Sequence, residues 1–236
     1  MGPFIIVLIL GVVAALVWLA YRQRQKRREE LFLFATQHGL EYSRVDPFAL
    51  PQSYGFRLFS EGDGRGCENV ISGVWQGLPV KEGDYWYYDE STDSEGHTSK
   101  SYSYFSVVVA DLACAAQDVL IQKETLMSRI ADHLGFHDID FETEEFNRAF
   151  QVKSKDREFA YKLIDARMIH WLLSTDGSFG FEVVGPNLLA YCKRRRPSEL
   201  IPVFGTSKLF VDHVPDLVWK EYGFTPQQPT AAGDTD

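Results

Sequence analysis

Hydrophobic positions follow three regimes along this chain. From Phe4 to Tyr21 (FIIVLILGVVAALVWLAY) they are almost unbroken, and Arg22, Arg24, Lys26, Arg27 and Arg28 follow at once. Eighteen residues at a rise of about 1.5 Å reach roughly 27 Å, enough to cross the ~30 Å hydrocarbon core of a bilayer. From Glu29 to His38 the spacing turns helical, with Leu31, Phe34, Ala35 and His38 on one face and Gly39 as the stop. Beyond Glu68 the period falls to two. Glu68 to Trp75 and Val80 to Tyr88 read as strands around a Gln76-Gly77-Leu78-Pro79 turn, and Tyr102 to Val109 returns after a polar loop, Asp89 to Lys100.

Further along, Val119 to Lys123 reads as a fourth strand, Thr125 to Leu134 as a helix, and the alternation Phe146-x-Arg148-x-Phe150-x-Val152 as another strand. Asp156 suits the N-cap of a helix over Arg157 to Ser174, whose Phe159, Leu163, Ala166, Ile169 and Leu173 form an apolar stripe. Phe179 to Val184 and Leu188 to Cys192 bracket a Gly185-Pro186-Asn187 hairpin, and helical segments starting at Pro197 close the chain at Gly223. Strands in hairpins rather than alternating with helices predict the α+β class: an N-terminal transmembrane helix, then an antiparallel sheet with helices packed on one side. The expected segments are a membrane anchor with its basic run (1–28), a helical and irregular connector (29–56), a cytosolic α+β domain (57–223) and a disordered tail (224–236).

The anchor is read as retained, because the residues before it carry no Lys or Arg and Val17 to Tyr21 is too bulky for a signal-peptidase site. With all nearby positive charge on its C-terminal side, the positive-inside rule predicts the inner membrane, N-terminus outside and the following domain in the cytoplasm. Arg22, Arg24, Lys26, Arg27 and Arg28 are expected at headgroup depth, as a topology signal in contact with lipid. Gly11 and Ala15 have the small-xxx-small spacing that lets two spans approach, which leaves a homodimer open.

After this basic run the balance reverses. The chain as a whole has a formal charge of −9, although five of its 24 basic residues lie in that run, so the domain argues against nucleic acid as a partner. The three cysteines, Cys67, Cys114 and Cys192, form no C-x-x-C pair and read as small core residues in a reducing compartment.

Motifs that carry chemistry fail on spacing. Glu61 to Gly66 (EGDGRG) lacks the third glycine of a dinucleotide loop and leads into a strand; Asp89, Ser91 and Asp93 begin like a calcium loop but end on Lys100; His133 and His137 are separated by Gly135. Nucleophile-elbow and Walker patterns do not occur. Catalytic, cofactor and metal residues are therefore assigned to none, and a membrane-tethered small-ligand binder or enzyme is the lesser alternative, with a pocket between the sheet and the Arg157 to Ser174 helix and groups that only folding could assemble. The densest feature is aromatic: Tyr85, Trp86, Tyr87 and Tyr88, facing Tyr102, Tyr104 and Phe105. Because alternate residues of a strand face opposite ways, four consecutive aromatics cannot share one core, and the excess predicts a surface for a protein partner.

The segment Glu145-Phe146-Asn147-Arg148-x-Phe150-x-Val152 resembles a family of actinobacterial-type, membrane-anchored proteins whose cytosolic domain has no known function. The likeness extends upstream through Asn69-Val70, Gly73, Gly77 and Pro79-Val80, and downstream through Val214 to Trp219 (VPDLVW). It departs at Gly83-Asp84-Tyr85, where similar sequences often read F-D-Y, which suggests that Trp86 supplies the missing aromatic. The resemblance implies fold and placement and transfers no catalytic residue. Within the motif Phe146, Phe150 and Val152 read as core, Asn147 as a turn residue, and Arg148 as a carboxylate partner; Asn147 with Arg148 is also a candidate anion contact.

Overall fold

The computed structural model describes residues 2–123, 136–175 and 177–223. The expected 125–134 helix, His133 and the tail from residue 224 lie outside them. The described residues form an N-terminal apolar helix followed by nine antiparallel strands and further helices, the α+β arrangement expected. Two compact units divide the chain, one of residues up to Val108 with Cys192–Gly205, the other of Val109–Tyr191 with residues from Thr206 onward.

In the first unit α1 runs unbroken from Gly2 to Gln37, 36 residues and about 54 Å. Its segment from Ile5 is long and apolar enough to cross a membrane, with mean hydropathy 2.4, and its apolar side chains are exposed. The same helix then dives into the unit: Leu31, Phe34 and Ala35 are buried, and Phe34 and Trp75 both stack on Phe204, at 5.7 and 5.0 Å between centroids. Burying such side chains contributes about 2 kcal/mol each for the larger ones. The anchor and the first part of the connector, to Gln37, are thus one helix.

The strand order here is β1 (Glu41–Val45), β2 (Gly64–Trp75), β3 (Leu78–Thr92), β4 (Thr98–Asp111). Two corrections to the expected meander concern its turns. The β2–β3 hairpin closes on Gln76 and Gly77 alone, both at positive φ (48° and 82°), the two-residue turn that matches strand twist, while Leu78 and Pro79 already pair with Trp75 and Val74. The expected 89–100 loop shrinks to residues 93–97, where Asp93 accepts the backbone N–H of Glu95 and His97. Alternation on β3 gives it two faces. Asp84 meets α1, whereas Tyr85 meets the 3-10 turn (Leu58–Ser60) that follows the short α2 (Leu50–Ser53), through Leu58 and Phe59.

In the second unit the order is β9 (Asn187–Lys193), β8 (Phe179–Val184), β5 (Val119–Gln122), β7 (Gln151–Ser154), β6 (His137–Asp138). Central β5 is wholly buried, and Gln122 accepts a hydrogen bond from Tyr191 at 3.0 Å. The strand expected over Phe146–Val152 is mostly helix: α3 spans Glu144–Ala149, and only Gln151 onward is extended. Phe146 and Phe150 still enter the core, as i, i+4 neighbours rather than strand alternates, 5.4 Å apart. The long helix expected after Asp156 is two. Asp156 caps α4 (Arg157–Leu163) through Phe159 N–H, the chain breaks at Ile164, and Asp165 caps α5 (Ala166–Ser174) through Met168 N–H. The break changes the phase of the stripe, so Met168, Trp171 and Leu172 are buried instead of Ala166, Ile169 and Leu173. Helices α6 (Leu200–His213) and α7 (Asp216–Tyr222) end the described chain at Gly223.

Candidate functional site

The aromatic residues of β3 and β4 separate by face. Tyr85 is fully buried, donates its hydroxyl to the Leu58 carbonyl at 2.8 Å and packs on Phe59; Tyr87 stacks on Phe105 at 5.8 Å. The expected partner surface therefore loses Tyr85, a core residue, and Tyr87, which is half-buried on that same face. Trp86, Tyr88, Tyr102 and Tyr104 occupy the opposite face as one ladder: Tyr88 and Trp86 lie 5.3 and 5.9 Å from Tyr102, which stacks on Tyr104 at 6.0 Å. Tyr102 is 47% and Tyr104 41% exposed, so the rings meet solvent. Each end carries a cation, Lys100 over Tyr88 at 4.2 Å and Arg194 over Tyr104 at 4.4 Å.

The glycines of the supposed phosphate loop explain how the rings lie flat. Gly64 pairs with Tyr88 and Gly66 with Trp86 across β2 and β3, and a Cβ on Gly66 would stand 2.8 Å from the indole. The segment 64–66 is strand rather than loop, its missing side chains replaced by cross-strand aromatics. Gly83 faces the other side, toward the Cys67 sulfur at 2.5 Å from where its Cβ would be, so Trp86 does not stand in for an aromatic at that place.

Next to the ladder a buried polar network ties α1 to the sheet. Arg27 Nε donates to Asp84 Oδ2 at 2.8 Å, Nη2 donates to Oδ1, and Nη1 donates to the Arg195 carbonyl at 2.8 Å. Asn69 Nδ2 donates to Asp84 at 2.9 Å and Asn69 Oδ1 accepts from Tyr42 at 2.9 Å. Asn69 takes positive φ, 55°, at the bulge between Glu68 and Ile71, which aims its amide at Asp84. Glu82 is buried beside this pair with neither carboxylate oxygen hydrogen-bonded among the described residues, and desolvation, reinforced by the Asp84 charge, pushes its pKa well up.

The five basic residues after the span consequently differ in role. Arg27 is held by Asp84, and Arg28 lies 3.7 Å from Glu68, so neither is a free headgroup ligand. Arg22 stacks over Trp18, Lys26 is 3.7 Å from Glu30, and Arg24 makes no ion pair among the described residues. Asn147 and Arg148 are engaged separately, each within the chain. Asn147 brackets Phe141, accepting its N–H at 2.9 Å and donating to its carbonyl at 2.7 Å, while Arg148 pairs with Glu144 on an exposed helix face.

Between the Ala20–Glu30 part of α1 and the ladder lies a groove of about 1290 Å³. Its walls come from α1 between Ala20 and Glu30, from β2 between Gly66 and Asn69, from Trp86, Tyr102 and Tyr104, and from Arg194 to Ser198. No local spacing singles out Asp84 or Arg194 as functional; the run Lys193-Arg194-Arg195-Arg196 in an acidic domain is the available signal for the latter.

No protein-family model and no curated protein matches the chain. A solved structure shares its fold. The crystal structure of the mycobacterial trehalose monomycolate transport factor A, TtfA, superposes at TM-score 0.58 and 14% identity, covering 80% of this chain and 96% of that one.

Proposed function

We propose that this chain is a single-pass inner-membrane protein, N-terminus outside, whose cytosolic part is an interaction module that holds a protein partner at the membrane. The reading rests above all on the ladder of half-buried Trp86 and Tyr88 with exposed Tyr102 and Tyr104, aromatic area of the kind that anchors interfaces, with cations at both ends. The fold likeness to a protein titled a transport factor fits an accessory, membrane-associated interaction role. Membership of the membrane-anchored family with the E-F-N-R-x-F-x-V motif belongs to the same proposal.

The test is affinity purification of the full-length protein from crosslinked native membranes, with mass spectrometry of what is retained. A stoichiometric partner present with the wild type and lost on Tyr88→Ala with Tyr102→Ala is the expected result. Retention unchanged by those substitutions, or no protein retained at all, overturns it.

A further inference from the structure

We infer that the groove between α1 and the ladder receives the headgroup of an anionic lipid from the leaflet where the anchor emerges. This goes beyond the partner-holding reading and shares with it the membrane span, the rings Trp86, Tyr102 and Tyr104, and Arg194.

Position is the first argument. The groove opens at Ala20, at the end of the apolar run, and extends along α1 to Glu30. At about 1.5 Å per residue, Arg24 stands ~5 Å beyond Tyr21, within the ~5 to 8 Å headgroup layer on each side of a bilayer. A lipid can enter headgroup first without its chains leaving the hydrocarbon.

Charge is the second. Six cationic side chains, Arg24, Lys26, Arg27, Arg28, Arg194 and Arg196, line the groove against two carboxylates, Glu30 and Glu68, in a chain whose formal charge is −9. Several are already committed: Arg27 to Asp84, Arg28 to Glu68, Arg196 to Glu199. Arg24 has no ion pair among the described residues, and Arg194 is held by the face of Tyr104, so both guanidinium edges remain for a phosphate. The Arg27–Asp84 pair holds the wall in place, and Trp86, Tyr102 and Tyr104 supply the amphipathic floor that suits the glycerol region.

The test uses the full-length protein in detergent micelles doped with phosphatidylglycerol or phosphatidylcholine, with bound lipid read by native mass spectrometry. Phosphatidylglycerol should be retained in preference. Arg24→Gln with Arg194→Gln should weaken retention roughly 30-fold and Arg24→Gln alone about fivefold, at unchanged melting temperature, since both side chains are exposed. Arg22→Gln, at similar depth but outside the groove, should leave it unchanged. Equal retention of both lipids, an Arg22 effect as large as the Arg24 effect, or displacement by excess inorganic phosphate would each overturn the inference. Because the readout involves no protein partner, failure of the partner experiment does not touch it.

Discussion

Arg27 reaches Asp84 with two guanidinium nitrogens, joining the long apolar N-terminal helix to the second strand of a hairpin 57 residues later. Asp84 is buried, and its other partner is Asn69. Removing the arginine would strand a carboxylate beside Glu82, a loss typically of 3 to 5 kcal/mol. Arg27→Ala should therefore lower the thermal midpoint of the full-length protein markedly, while Arg27→Met with Asp84→Leu should recover most of the loss. Near-equal midpoints for Arg27→Ala and wild type would show that the pair is not structural.

The same contact bears on soluble versions of the protein. A chain beginning at Glu29 omits both Arg27 and Arg28, whereas one beginning at Arg22 keeps them. The longer version should be the more stable of the two by about 3 kcal/mol in urea titration, although neither contains the span.

Glu82 gives a pH signature. Its pKa is raised above the ordinary 4.5, so between that value and its folded-state value the unfolded chain releases a proton that the folded chain keeps, and stability falls as pH rises. Glu82→Gln removes this dependence. The midpoint difference between variant and wild type should be smallest near pH 4 and should grow in the variant's favour toward pH 8; a constant difference would mean that Glu82 is ionised in the fold.

A side chain at Gly66 should be felt by Trp86. Gly66→Val places a Cβ 2.8 Å from the indole, and overpacking of this kind costs about 1 to 3 kcal/mol. The expected result is a lower midpoint together with a red-shifted tryptophan emission, since the ring must lift toward water.

Asp165→Ala removes the cap of α5 and should cost about 1 kcal/mol, comparable to Asp156→Ala at α4. If a single helix ran through this region, Asp165 would be an interior position and its replacement by alanine would be neutral or stabilising.

How much of this was legible depends on the range of the interaction. The split of Tyr85, Trp86, Tyr87 and Tyr88 between faces follows from strand alternation alone and could be read from four letters. The end of α1 and the closing helices follow equally from local signals. Arg27 looked like its basic neighbours because its partner is 57 positions away, and no local pattern encodes that distance. Phe146 and Phe150 satisfy both a period of two and an i, i+4 helical pair; the acidic Glu144 and Glu145, favourable in a first helical turn, were the deciding signal. Asp165 was likewise a second capping residue inside what resembled one amphipathic run.

The continuity of α1 fixes a geometry that two separate helices would leave free. Successive residues turn by about 100°, so Ala20, Arg24, Arg27 and Leu31 share one azimuth, toward the groove and the sheet. Gly11, Ala15, Trp18 and Arg22 share another, roughly 180° away. Two spans packed through Gly11 and Ala15 would stand back to back with both grooves turned outward, so self-association and occupancy of the groove need not compete.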